Sequence, residues 1–546
     1  GDTALFAGLL AHLSASGAID TEYVAKHTSG FAEALEKARS VSIEDIARAT
    51  ELSERELESF YALFARTEKT VTIYSQGVNQ SSIGTDKVNA IINCHLATGR
   101  IGRPGMGPFS VTGQPNAMGG REVGGLANML AAHLDIENPA HRDIARRFWK
   151  SPAVPEKPGL KAVDLFKAVA EGKIKALWIM ATNPVDSMPD ADAVKAALEA
   201  CPFVVVSDVL ADTDTTRYAD VLLPSAAWGE KDGTVTNSER RISRQRTFLA
   251  QPGEARPDWW QMAEIGKRLG HAEAFDWTGP SEIFAEYAAM TGFENGGSRD
   301  LDIGAYARIG AEAYDRLAPF QWPQAEGVTT IASRFFANGG FFTPGRKGRF
   351  IAIDIDVPQR IGPDYPLILN TGRVRDHWHT MTRTGKSQRL SAHIGEPYAE
   401  LHPADAASLG VSDADIVTID SPYGRALVRA LVTPRQRQGS VFVPMHWNDQ
   451  FASNARIDAV VAPVTDPHSG QPASKHVAVR AARFPAKIFG FAVCAERPTL
   501  PQADYWALAR LSAGWKIELA HGAPADDIEA YARHLFGLEG RDDIDL

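Results

Sequence analysis

Ala176-Leu177-Trp178-Ile179-Met180, the loop Ala181 to Pro189, the run Ala191 to Ala200, and then Phe203-Val204-Val205-Val206-Ser207 and Asp220-Val221-Leu222-Leu223 decide the fold. The first, fourth and fifth segments are short and almost wholly apolar, and the third has helix-forming composition. Near-continuous apolar strands separated by helices mark a parallel sheet covered on both faces. Ligands of such sheets sit beyond the carboxyl ends of the strands. The loops beginning at Ser75, Ala181, Ser207 and Pro224 are therefore the places to look for function.

Towards the amino end the same texture reaches back to Val71–Tyr74, a β-branched run followed by the polar loop Ser75–Thr85. A helix with Val88, Ile91, Ile92 and Leu96 on one face comes next and stops at Gly99. Before that, residues 1–67 read as helices. Phe6, Leu9, Leu10 and Leu13 fall at i, i+3, i+4 and i+7, and Ser42 with Asp45 and Ser53 with Glu56 have capping-box spacing. Leu57, Phe60, Tyr61 and Phe64 form the inward stripe of the last of these helices. Towards the carboxyl end, residues 250–350 have no sustained period. Tyr365–Asn370, Ile416–Asp420, Arg425–Val432, Ser440–Pro444 and His476–Arg480 are short strands between turn residues, with one brief helical turn at Pro403–Leu409. They predict a small β-barrel over 364–483. Residues 484–546 read as a helical extension, helical from about Gln502 to Gly537.

A chain of 546 residues predicts three or four domains. Hydrophobic residues make up 44% and charged residues 23%, which excludes a disordered tail or a coiled coil. Asp and Glu outnumber Lys and Arg by 67 to 57, against the clustered cations of a nucleic-acid binder. Cys94, Cys201 and Cys494 lie far apart, so the chain holds no thiolate metal cage and no disulfide framework. No apolar run approaches the ~18 residues that suggest a membrane span. The amino end has no Met, basic segment or signal-type run, and residue 1 reads as an internal cut of a longer protein.

Several signals fail. Gly385-Lys386-Ser387 ends like a phosphate-binding P-loop, but Thr380 stands where its first Gly belongs. His377-Trp378-His379 has no third ligand nearby in sequence. Gly-x-Ser-x-Gly, His-Glu-x-x-His and Gly-x-Gly-x-x-Gly are all missing, which removes the usual hydrolase and nicotinamide-dehydrogenase readings. What remains suits a large anionic ligand. Ser207-Asp208 ends a buried strand, where an acid accepts hydrogen bonds from ribose hydroxyls or a guanine N–H edge, or else caps a turn. Lys231 in its glycine-rich loop is either a phosphate contact or a solvated cation. Arg373, Arg375, Arg383, Lys386 and Arg389 crowd a loop directly after a strand, and an anion site is favoured over a solvated basic loop.

Three longer segments carry a resemblance: Ser75-Gln76-Gly77-Val78-Asn79-Gln80-Ser81-Ser82, His95-Leu96-Ala97-Thr98-Gly99-Arg100-Ile101-Gly102, and Gly113-Gln114-Pro115-Asn116-Ala117-Met118-Gly119-Gly120-Arg121-Glu122-Val123-Gly124. Ala181-Thr182-Asn183-Pro184, Val206-Ser207-Asp208, Ala219 to Pro224 and Asn237-Ser238-Glu239-Arg240-Arg241 continue it. Thr371-Gly372-Arg373 through His379-Thr380, and Asp466 to Pro472 leading to Lys475, complete the set. Together they resemble the molybdopterin oxidoreductases, and within them the catalytic subunits of bacterial assimilatory nitrate reductases, over residues 1–483.

The resemblance implies a multi-domain α/β fold with parallel sheets over 1–350 and a carboxyl-terminal barrel of the double-psi type. It implies molybdenum held by two molybdopterin guanine dinucleotides, nitrate as substrate, an electron-donor protein or reductase subunit as partner, and a cytoplasmic location. Gln76 and Gln80 are expected near the cofactor from the first loop. Asn183, Ser207, Asp208, Lys231 and Asp258 are expected on one dinucleotide. Thr371, Gly372, Arg373, His377, Trp378, His379, Thr380, Asn454 and Lys475 are expected to contact the pterins from the barrel. Arg121, with Gln80, is the candidate for the substrate funnel; the alternative is that Arg121 pairs with Glu122 or braces its loop. No metal ligand is expected within this chain. The family's 4Fe-4S cysteine motif and molybdenum-ligating cysteine would precede residue 1, so the chain alone is expected to be an incomplete enzyme. Formate oxidation on the same fold, and a cofactor-free structural or electron-transfer subunit, are the alternatives.

Overall fold

In the computed structural model, which describes residues 1–328, 334–355, 362–523 and 528–541, the helix Asp2–Ala15 turns Phe6, Leu9, Leu10 and Leu13 inward, as their spacing predicts. Thr21–His27, Phe31–Arg39, Ile43–Thr50 and Glu54–Arg66 complete the amino-terminal helices. Ser42 and Ser53 cap the last two of them, and Ser53 forms a full capping box with Glu56. Leu9, Leu13, Leu57 and Ile91 are each essentially inaccessible, and each contributes ~2 kcal/mol of apolar burial.

These helices belong to the first of two compact units, which comprises Gly1–Asn79, Ile83–Lys161 and Ser225–Gln359. The strand Val71–Tyr74 pairs in parallel with Gly107–Ser110, and the helix Gly84–Ala97 connects them. The expected polar loop Ser75–Thr85 contains a short helix, Gln76–Asn79. Gly233–Thr236, Arg241–Gln245 and Phe320–Gln321 form an antiparallel sheet. The unassigned stretch after residue 250 supplies the helices Asp258–Gly266 and Pro280–Gly292.

The second unit comprises Gln80–Ser82, Ala162–Pro224 and Arg360–Leu546. Residues 162–224 thus lie in the same compact unit as the barrel segment. Its parallel sheet has Leu177–Met180, Val204–Asp208 and Val221–Pro224 in that order. The helices Ala162–Ala170 and Ala191–Ala200 cover it through Phe166, Val169, Val194 and Leu198. Val204, Val206 and Ser207 are wholly enclosed, which is why this strand carries no polar alternation.

The barrel is closed and six-stranded: Leu367–Gly372, Ser440–Pro444, Tyr398–Leu401, Arg425–Val432, Ile416–Asp420 and Val477–Arg483, in that order around the wall. Alternate residues such as Val477, Val479 and Ala481 fill it while their neighbours face out. Gly372 lies flat against Phe442, where a Cβ would come within 2.4 Å of the ring.

The expected helical extension is corrected. Ile488–Cys494, Gly514–His521 and Tyr505–Leu511 form an antiparallel three-stranded sheet, and within the described residues of 502–537 only Ile528–Leu535 is α-helical. Tyr505, Trp506, Ala507, Leu508 and Ala509 are buried on both sides. A strand of that kind has no period of two, and its Ala and Leu content imitates a buried helix.

Candidate functional site

At the carboxyl ends of the second unit's parallel strands, the chain builds a buried polar network. Ala181 takes a left-handed conformation and Pro184 opens the short helix Pro184–Ser187, which leaves Asn183 at its cap, 7% exposed. Asn183 Nδ2 donates to Asp186 Oδ2 at 2.5 Å and to Thr380 Oγ1 at 3.1 Å. Its Oδ1 accepts from Thr215 Oγ1 at 2.5 Å and from Thr215 N at 3.2 Å. One amide thereby ties the Ala181–Pro189 loop, the loop after Asp208 and the Thr371–Thr380 segment. Ser207 Oγ accepts from Trp178 Nε1 at 2.9 Å. Burial pushes the Asp208 carboxyl above its ordinary range, while the amides of Leu210 and Val209 and the charge of Arg383 pull it back.

The barrel loop is equally prearranged. His379 and Met381 both adopt positive φ, so the backbone turns sharply at Thr380. Asn448 Nδ2 donates to Thr380 O at 2.6 Å. His446 Nε2 accepts from Val374 N at 2.9 Å, so Nδ1 carries the proton and donates to His379 O at 2.7 Å. Burial, with Arg373 and two other histidines adding to it, lowers this imidazole to about 4. His377 donates from Nε2 to Ile394 O at 3.0 Å, and Arg373 lies over the Trp378 ring at 4.9 Å. Lys475 Nζ donates to Thr371 O, while burial pulls its pKa down to about 8 against the charge of Asp458. Asn454 has a positive φ and lines an open cleft of about 520 Å³ with Lys195, Arg425 and Arg456.

The first unit carries the remaining candidates except Gln80, which belongs to the second. Lys231 Nζ and Asp258 Oδ2 form an ion pair at 2.6 Å, both side chains more than a quarter exposed, while Asp258 Oδ1 is enclosed without a hydrogen-bond partner. Gln76 opens its short helix, and Gln80 follows that helix in sequence; both are half-buried. Arg121 is exposed at the end of the helix Ala117–Glu122. Glu122 points inward, 1% exposed, and accepts from Thr236 Oγ1, Trp322 Nε1 and Tyr287 Oη at 2.7 to 2.9 Å. The carboxylate is thus engaged by neutral donors, away from the exposed Arg121.

Thr215, Asp186, Asp214, His446 and Asn448 escaped the sequence reading. The signal was available in Asp212-Thr213-Asp214-Thr215-Thr216, a polar run after a buried strand, and in His446-Trp447-Asn448 directly after a barrel strand. Among the described residues, no group of three or more His, Cys, Asp or Glu is arranged to hold a metal ion. Nor is any helix there long and apolar enough to cross a membrane.

An α/β sheet with polar loops at its carboxyl edge, joined in one unit with a closed barrel, defines a protein built around an extended, anionic organic cofactor. Residues 6–268 match the family Molybdopterin oxidoreductase, and residues 367–478 match the Molydopterin dinucleotide binding domain. The chain is 48% identical over 507 residues to a nitrate reductase of Klebsiella oxytoca, covering 92% of this chain and 57% of that protein. It is 37% identical to a nitrate reductase of Synechocystis, covering 88% and 67%. It is 30% identical to the F420-dependent formate dehydrogenase subunit alpha of Methanocaldococcus jannaschii, covering 81% and 63%. The fold is similar to that of acetylene hydratase from Pelobacter acetylenicus, with a TM-score of 0.67 at 17% identity over 88% of this chain and 70% of that one. The chain belongs to the molybdopterin oxidoreductase family, and its barrel is the dinucleotide-binding domain. It spans a little over half the length of the Klebsiella relative.

The donor set fits such a cofactor. Purine and ribose hydrogens call for acceptors and phosphate oxygens for cations; the second unit offers Asp208 with Arg373 and Lys475, and the first unit, taken by itself, offers the bare Asp258 Oδ1 with Lys231.

Proposed function

We propose that the complete protein containing this chain reduces nitrate to nitrite at a bis(molybdopterin guanine dinucleotide) molybdenum centre, as an assimilatory, cytoplasmic enzyme. The identity to nitrate reductases over nearly the whole chain carries this reading. When bound, the molybdenum cofactor supplies the redox and oxygen-atom-transfer chemistry. The chain's own residues do the rest. Asp208 accepts from the guanine or ribose of a dinucleotide, Asn183 and Thr380 hold the loops that enclose it, and Arg373 and Lys475 face phosphate oxygens. Ser207, Thr371, Gly372, His377, Trp378, His379 and Asn454 complete that wall, while Gln76, Lys231 and Asp258 give the first unit donors and charges of the kind a dinucleotide takes. Arg121 and Gln80 draw in nitrate, a planar anion that needs fixed donors. Two electrons and two protons convert nitrate to nitrite and water. A donor protein or reductase subunit would supply the electrons, and a 4Fe-4S cluster would relay them.

Formate oxidation is the second reading, favoured by the identity to the methanogen formate dehydrogenase. The test uses the native full-length protein with a viologen dye. Nitrite appearing in step with oxidation of the reduced dye supports nitrate reduction. Dye reduction by formate, with no response to nitrate, overturns it in favour of the second reading.

A further inference from the structure

Beside Asn183 lies a pair of carboxyl groups that the cofactor reading leaves unused. Asp186 is 3% and Asp214 2% exposed, and the Oδ1 of each is enclosed without a hydrogen-bond partner. The other oxygens are taken: Asp186 Oδ2 accepts from Asn183 Nδ2 at 2.5 Å, and Asp214 Oδ2 accepts from Asp449 N at 2.7 Å. The two side chains are within hydrogen-bonding reach of each other. Two ionised carboxylates facing across a dry gap repel strongly, and a bare oxygen on each side doubles the desolvation cost. A single proton on one of them removes the repulsion and supplies both bare oxygens with a hydrogen bond.

The surroundings decide which group carries it. Arg217 Nη1 stands 3.3 Å from Asp214 Oδ1, close enough to favour a charge there but misaligned for a hydrogen bond. Arg456, a cation whose charge reaches Asp186, is engaged by Val185 O, Asp192 and Asp449. Asp449 adds a further negative charge facing Asp186. The proton therefore sits on Asp186, directed towards Asp214.

We propose that Asp186 and Asp214 share one proton, and that Asp186 is thereby a positioning residue that fixes Asn183, and through it Thr380, in the dinucleotide seat. The claim about the seat rests on the function proposed above; the shared proton does not. The direction of the pH effect follows from burial first and the charge of Asp214 second, both of which raise the Asp186 pKa well above its ordinary value. The folded protein then binds more protons than the unfolded one. The pair's contribution is complete below the ordinary carboxyl range and is lost as pH rises through the raised value. Loss of the proton sets two charges against each other beneath Asn183 and loosens its hold on Thr380.

The test uses the native full-length protein, wild type and the isosteric Asp186→Asn, whose amide donates where the acid proton would. Infrared spectra report the carbonyl stretch of un-ionised carboxyl groups, and the bound guanine nucleotide is measured after equilibration at a series of pH values from about 6 to 9. The expected result is a carboxyl band that Asp186→Asn removes, with nucleotide lost at high pH from the wild type but several-fold better retained in the variant. Asp214→Asn, which removes the charge instead, should show the same flattened retention profile. An unchanged band in Asp186→Asn overturns the shared proton. Band loss with parallel retention profiles in wild type and both variants overturns the positioning role. Absence of guanine nucleotide from the wild type at every pH defeats the cofactor reading instead, while the band still reports on the proton.

Discussion

The Asn183 network and the Lys231–Asp258 pair present similar polar atoms in opposite physical settings. Asn183, Thr215, Asp186 and Thr380 are buried and bonded to one another in a fixed pattern. Lys231 and Asp258 sit more than a quarter exposed and hold each other by charge. A buried network keeps its geometry without a ligand, because each broken bond leaves an unsatisfied group in a dry interior. A half-exposed ion pair is worth little by itself and exchanges partners easily. Under the function proposed above, the first region is a preformed seat and the second a clasp whose charges a ligand recruits.

The largest effect should come from breaking the seat. Asn183→Ala removes one amide and strands Thr215, Thr380 and Asp186, at a cost on the order of 3 kcal/mol that chemical denaturation will show. Acid attacks the same region next. His446 is neutral when folded, with a pKa lowered to about 4, so the unfolded chain binds more protons between that value and about 6.5. Its contribution is complete above that window and disappears as pH falls through it, an expected loss of ~3 kcal/mol in the wild type that His446→Gln should largely abolish. In the first unit, Glu122→Gln sets an amide hydrogen either against Trp322 Nε1 or against Thr236 Oγ1 and Tyr287 Oη, and should cost about 1–2 kcal/mol, measured as a lower unfolding midpoint. Lys231→Met should change stability by less than about 1 kcal/mol, but weaken retention of the guanine nucleotide at low salt more than at high salt. An equal loss at both salt concentrations would erase the contrast between seat and clasp.

The sequence made the seat's frame legible and left most of its fittings hidden. Ala191–Ala200, Ile416–Asp420, Arg425–Val432 and Ser440–Pro444 fall where composition and turns place them. Asn183 and Thr380 were reached through motif resemblance, and the bond between them spans 197 positions, which no local pattern reports. Asp214 and His446 matter through partners brought close by the tertiary fold. Tyr505–Leu511 misled for the opposite reason: buried on both faces, it shows no alternation, and only its pairing with Gly514–His521 reveals a strand.

The most direct measurement is the guanine nucleotide released from the purified native protein, compared between wild type and Asn183→Ala. Guanine nucleotide is expected in the wild type, with a severe loss in the variant even where the variant remains folded. A folded Asn183→Ala protein that keeps its full guanine content would contradict that expectation.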